Sequence, residues 1–127
     1  MGMDTDRAAR PTVLIVEDDP IIRWSGAETL ADAGFDVLEA ANADEALETL
    51  EAREVILVLF TDVDMPGRLD GLELARIAHQ RWPWMRIIVA SGRREAQRRR
   101  IPDNGVFIPK PYAPEEIVRD IGAMLAV

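Results

Sequence analysis

Six consecutive apolar residues, Val55 to Phe60, run into Thr61, Asp62 and Asp64 and then into a Met65-Pro66-Gly67 turn. A run without polar alternation reads as a strand covered on both faces, and so as a central strand of a parallel sheet. It is far short of the roughly 18 residues a membrane span needs. The Pro-Gly pair continues neither strand nor helix. A carboxylate is thereby placed at the carboxyl end of a central strand, where open α/β sheets build their ligand sites.

The remaining elements are read around that strand. Thr12 to Val16 is a second apolar run, closed by Glu17-Asp18-Asp19-Pro20. Asp19 suits a helix N-cap and Pro20 the first turn, with Ile22, Gly26, Leu30 and Ala33 at helical spacing and Gly34 as the stop. Phe35 to Ala40 is a short strand, and Asn42 caps a helix with Ala43, Ala46, Leu47 and Leu50 on one face. Past the acidic turn, Asp70 caps a helix to about Trp82, with Leu72, Ala75, Ile77 and Ala78 inward and Pro83 ending it. Arg86 to Ala90 is a fourth strand, followed by a Ser91-Gly92 turn, and Val106 to Ile108 is a fifth. Between them, residues 93–105 have room for at most about two helical turns before Pro102 and Asp103-Asn104-Gly105 break the pattern. Pro114 opens a last helix with Ile117, Val118, Ile121 and Leu125 inward, behind Ala113, a poor cap.

Five alternations of strand and helix imply a parallel sheet with helices on both faces, because each crossover is right-handed and carries a covering helix. A length of 127 residues suits one domain. Residues 1–10 are expected to be a disordered N-terminal segment and 11–127 the folded domain. With 23 acidic against 15 basic side chains, the net charge of -8 argues against non-specific binding to nucleic acid or anionic membranes. The absence of cysteine removes disulfides, thiolate catalysis and zinc-thiolate sites together. Without an apolar core for a signal peptide in MGMDTDRAARP, a cytoplasmic location is the expectation.

In such a sheet Glu17, Asp18, Asp62 and Ser91 fall at carboxyl ends of strands and converge on one rim. Carboxylates gathered there raise one another's pKa unless a cation shares them. Oxygen ligands without His or Cys suit Mg2+, which takes one or two carboxylates plus a phosphoryl oxygen. A carboxylate left partly free can act as a nucleophile toward phosphorus, with a lysine neutralising the developing charge. Lys110 stands just past the fifth strand and is the one lysine among 15 basic residues.

Four segments, VLIVEDDP, VLFTDVDMPG followed by DGLELA, IIVASG and FIPKPY, occur in this order and on these strands. Through them the chain resembles the receiver domains of two-component response regulators from about Pro11 to its C-terminus. The resemblance implies a flavodoxin-like (βα)5 doubly wound sheet of five parallel strands, order 2-1-3-4-5. It implies phosphorylation of Asp62 by a histidine kinase, a phosphotransfer protein or a small phosphodonor, with Mg2+ held by Glu17, Asp18, Asp62 and the Asp64 backbone carbonyl. Asp18 is the more direct ligand of the acidic pair. By the same resemblance Ser91 hydrogen-bonds the phosphoryl group, Phe107 is the aromatic switch residue, Lys110 pairs with a phosphoryl oxygen and the Lys110-Pro111 peptide is cis. The implied output is a protein-protein contact, with a downstream target or an effector domain, and with neither nucleic acid nor membrane as a direct partner. A phosphorylation-dependent dimer stays open.

Plainer roles compete with these. Ser91-Gly92 is also an ordinary turn, Phe107 alone reads as a core aromatic, and Lys110 alone as a surface lysine. His79 is expected to be solvent-exposed, and Trp24, Trp82 and Trp84 to pack or face a partner. Arg93, Arg94, Arg98, Arg99 and Arg100 form a solvated face or a dock for an acidic partner. Some positions depart from the family pattern. The loop from Pro66 to Asp70 is one residue longer than the commonest spacing, and the short Ser91–Lys110 interval implies a short or irregular fourth helix. Asp64 and Arg93 are expected to tune the lifetime of the phosphoryl group. Two other function classes remain: a receiver used as a non-phosphorylated scaffold, and a phosphatase resembling the haloacid dehalogenases, in which Asp62 and Asp64 would be nucleophile and general acid. The latter leaves Glu17 and Asp18 unexplained and normally needs a longer chain.

Overall fold

The computed structural model describes residues 10–52, 55–92, 101–102 and 105–125. Five strands, β1 (Thr12–Val16), β2 (Asp36–Ala40), β3 (Val58–Asp62), β4 (Arg86–Ser91) and β5 (Gly105–Pro109), form one sheet in the order β2-β1-β3-β4-β5. Every neighbouring pair is parallel. Four helices are described: α1 (Pro20–Asp32), α2 (Ala43–Ala52), α3 (Gly71–Arg81) and the C-terminal α4 (Pro114–Leu125). This is the doubly wound arrangement expected of alternating strands and helices.

The continuous apolar runs have a direct cause in this architecture. Alternate residues of one strand enter two different cores, so neither face tolerates a polar side chain. Leu14, Val16, Leu59, Ile87 and Val89 pack with Ala46, Leu50, Leu72 and Ala75 of α2 and α3. Val13, Ile15, Val58, Phe60, Ile88 and Ala90 pack with Leu30, Ile117 and Ile121 of α1 and α4.

Helix starts follow local chemistry. Asp19 Oδ1 accepts the N–H groups of Ile21 and Ile22 at 2.9 and 3.1 Å, and Asn42 Oδ1 accepts that of Glu45 at 2.9 Å. Asp70 and Glu73 form a reciprocal capping box, with bonds of 2.9 and 3.0 Å. At α4, where Ala113 offers no capping side chain, Glu116 Oε1 accepts the Ala113 N–H at 2.8 Å.

The structure corrects several boundaries and faces. The third strand begins at Val58, not Val55, and extends through Thr61 to Asp62. Val55 is 57% exposed, so the apolar run starts before strand pairing does. Ile22 is exposed at the amino end of α1, which reaches the core through Gly26, Ala27 and Leu30. In α3, Leu74 takes the buried place expected of Ile77, which is only half-buried. His79 is half-buried and lines one hollow with Ile77, Ile101 and Pro102; its Nδ1 is enclosed with no hydrogen-bond partner among the described residues, so it is not the fully exposed side chain expected. Trp24 and Trp84 are exposed, and Trp82 carries the Arg81 guanidinium 4.6 Å from its ring centre. The expected fourth helix, the arginines at 93–100 and the N-terminal segment 1–9 lie outside the described residues.

Candidate functional site

The carboxyl ends of β1, β3 and β4 and the residue after β5 meet at one rim. Parallel pairing sets their heights: Val16 lies beside Thr61, Asp62 beside Ala90, and Ser91 beside Pro109. Glu17 and Asp62 are therefore level, with Ser91 one residue and Lys110 two residues beyond them at the neighbouring strand ends. The Lys110 N–H donates to the Ser91 carbonyl at 3.1 Å, which carries the β4–β5 ladder one residue past the strands. The Lys110-Pro111 peptide is cis.

Asp62 is the centre of the rim. It is 2% exposed, and its Oδ1 lies 2.8 Å from Lys110 Nζ. The Asp64 N–H points to the same oxygen at 3.4 Å. Glu17, also 2% exposed, accepts the Asp19 N–H on Oε2 at 3.0 Å, while its Oε1 is buried without a hydrogen-bond partner among the described residues. Asp18 is exposed. Glu17, Asp18 and Asp62 each offer a carboxylate oxygen, all within 4.8 Å of one another.

Such crowding has electrostatic consequences. Burial pushes Glu17 up to about 7, helped by the Asp62 charge and by Asp18, and opposed by the Asp19 N–H and by Lys110. Burial likewise raises Asp62, against the hydrogen bond and charge of Lys110. Burial pulls Lys110 down, but the Asp62 ion pair, with Glu17 and Asp64 behind it, more than reverses this and leaves the ammonium raised. The two partners thus shift in senses that disagree about the pair, since a raised lysine favours ionisation and a raised aspartate opposes it. At 2.8 Å the contact fits an ionised pair, while burial still raises both Asp62 and Glu17 above the usual carboxylate range. Burial and the same two carboxylates also raise Tyr112, whose ring meets Phe60 edge-on at 5.4 Å between centres. Three carboxylates facing one ammonium, with one buried oxygen unpartnered, fit a hard divalent cation in charge and in donor type.

The expected site residues are not all in one place. Glu17, Asp18, Asp62 and Lys110 are brought together, and Ser91 lies fully buried at the end of β4. The Asp64 side chain is exposed, and its backbone, the part expected at the site, lies beside Asp62 through its N–H. Phe107 sits half-buried on the edge strand β5 opposite Val89, two residues before the level of Ser91. Arg93 lies outside the described residues.

Two supports of the site were not read from the sequence. Gly71 opens α3 directly against the backbone of Asp62: a Cβ there would stand 1.9 Å from the Asp62 carbonyl oxygen and 2.9 Å from Val63 Cα. The same carbonyl accepts the Thr61 hydroxyl at 2.9 Å. Glycine is a poor helix former, so its place straight after the Asp70 cap was the available signal of a close approach. The second support is Arg23, whose Nη1 donates to the Glu17 carbonyl at 2.7 Å. Its signal was a lone cation within the apolar run Ile21-Ile22-Arg23-Trp24.

Comparison with known proteins agrees with this geometry. The family model of the response regulator receiver domain matches residues 13–122. The chain is 36% identical over 126 residues to the sensor kinase CckA of Brucella abortus, covering 95% of this chain and 13% of that protein. It is 33% identical over 118 residues to the transcriptional regulatory protein PdtaR of Mycobacterium tuberculosis, covering 91% of this chain and 57% of that one. The chain thus spans less than two thirds of these relatives. A response regulator receiver protein from Sinorhizobium medicae superposes with a TM-score of 0.86 at 25% identity, over 94% of this chain and 98% of that chain.

Proposed function

Because the chain belongs to the response regulator receiver family of two-component signalling, we propose that Asp62 is a phosphoacceptor whose phosphorylation switches a protein-protein contact. The observation that carries this reading is the setting of Asp62: a nearly buried carboxylate at a strand end, 2.8 Å from Lys110 Nζ and grouped with Glu17 and Asp18. The donor is a histidine kinase, a phosphotransfer protein or a small phosphodonor.

In the reaction an Asp62 carboxylate oxygen attacks the donor phosphorus. The bond from phosphorus to the donor breaks, its electron pair leaves with the donor, and Asp62 carries an acyl phosphate. Lys110 faces the charge that develops on the phosphoryl oxygens. Glu17, Asp18 and Asp62, with the Asp64 backbone carbonyl, hold Mg2+, to which the unpartnered Glu17 Oε1 and the crowding of three carboxylates are suited. Bound there, the ion supplies charge neutralisation between the acidic rim and the incoming phosphoryl group. Ser91 then donates to the phosphoryl group and Phe107 follows inward, a coupling typically of ~1 to 3 kcal/mol. The output is a downstream protein or an effector domain. Neither nucleic acid nor membrane is a direct partner, in keeping with a net charge of -8, and the setting is cytoplasmic. Among the described residues no helix is long and apolar enough to cross a membrane.

Intact mass after incubation with acetyl phosphate and Mg2+ tests the reading. One phosphoryl adduct is expected, absent without Mg2+ and absent in Asp62→Asn. A folded protein that gains no adduct from acetyl phosphate or from a cognate kinase would instead be a scaffold.

A further inference from the structure

The turn that carries the acidic pair is tied down from outside the rim. The Glu17 N–H donates to the Ala40 carbonyl at 3.0 Å, extending the pairing of β1 with β2. The Glu17 carbonyl accepts Arg23 Nη1 at 2.7 Å, a short charge-assisted bond. Arg23 Nε lies 3.3 Å from Glu39 Oε1 on the edge strand β2, and the arginine side chain is only 20% exposed. One guanidinium therefore joins the peptide between Glu17 and Asp18 to the sheet edge. Asp18 itself is exposed, so the backbone of this turn decides where its carboxylate stands.

Resting on the reading that the rim holds Mg2+, we propose that Arg23 is a positioning residue for the metal site, fixing the Glu17-Asp18 peptide so that both carboxylates reach one ion with Asp62. Positioning and charge predict opposite signs. Arg23 is a cation near a cation site, so by Coulomb's law alone its removal strengthens Mg2+ binding. If its work is to hold the peptide, removal weakens binding, and outer partners of metal ligands typically carry about 10–100-fold in affinity.

Calorimetric Mg2+ titration of the full chain, at one pH and ionic strength, separates the two. Arg23→Met is expected to weaken binding by about tenfold or more. Arg23→Lys keeps the charge but loses the fork that spans two acceptors, and is expected to recover only part of the affinity. Glu39→Gln keeps the guanidinium and loosens its anchor, weakening binding in the same direction by a smaller factor. Melts in EDTA report whether each variant folds. Equal or tighter binding by folded Arg23→Met, with normal binding by the wild type, overturns the role of Arg23 and leaves the rim reading standing. A wild type that binds no Mg2+ overturns both. Should Arg23→Met not fold, wild-type affinity in both Arg23→Lys and Glu39→Gln overturns the proposal.

Discussion

The two acidic turns of the rim are built in opposite ways. After β1, Glu17-Asp18-Asp19 passes directly into α1, and the Glu17 carboxylate, its carbonyl, the Asp19 N–H and the Asp19 carboxylate are all hydrogen-bonded. After β3, the chain makes a longer excursion through Pro66, Gly67 and Arg68, all exposed, with Gly67 at φ +118°. That loop is firm only at its ends, where Met65 is buried and the Asp70-Glu73 box with Gly71 seats α3 against Asp62. Its tip is tied to α2 by an exposed ion pair, Arg68 to Asp44 at 2.9 Å. Asp62 thus takes its position from the strand and from the helix start, and the tip of the loop stands away from it at the surface.

The sharpest way to break this contrast is to add one methyl group at each end of it. Gly71→Ala drives a Cβ into the Asp62 backbone, so that backbone must shift, and is expected to cost about 3 kcal/mol in urea unfolding. Gly67→Ala meets nothing within 4 Å and is strained only by its positive φ, about 1 kcal/mol. Equal effects at the two glycines would remove the distinction.

A second effect concerns the locked turn. Glu17 is raised in the folded state from 4.5 to about 7, the reverse of an ion-paired surface carboxylate. Between these values the unfolded chain releases the proton that the folded chain keeps, so metal-free stability falls as pH rises from about 4.5 to 7 and the loss is complete above that window. At about 1.4 kcal/mol per unit, the change is on the order of 3 kcal/mol. Glu17→Gln should flatten the dependence in melts recorded in EDTA, and Mg2+ should stabilise the wild type more at pH 8 than at pH 5. A wild type whose stability rises through that window would contradict the burial of an uncompensated Glu17.

Smaller effects follow along the loop. Asp70→Ala removes one half of the capping box and should lower stability by about 1 kcal/mol in denaturant unfolding. Arg68→Ala deletes a pair whose side chains are 78% and 51% exposed, and should change stability by less than about 0.5 kcal/mol.

The same contrast explains what the sequence made legible. The parallel sheet, the capping residues Asp19, Asn42 and Asp70, and the arrival of Glu17, Asp18, Asp62 and Lys110 at one rim are consequences of local patterns repeated in the right order, whereas the strand order came from the family resemblance. The start of β3 was not legible, because Val55 to Leu57 are as apolar as the strand that follows and only pairing with β1 and β4 marks where it begins. Ile22 shares the helical spacing of Gly26 and Leu30 yet stays exposed, because spacing does not say where α1 overhangs the sheet. Gly71 and Arg23 act through contacts with the backbone of residues six to nine positions away, which no periodicity records.

The most direct measurement is the location of the phosphoryl group. Borohydride reduction of the acyl phosphate, followed by peptide sequencing in the mass spectrometer, converts the modified aspartate to homoserine and marks its position. Homoserine is expected at residue 62 alone. Its appearance at residue 18 or 64, with Asp62 intact, would contradict the assignment of Asp62 as the acceptor.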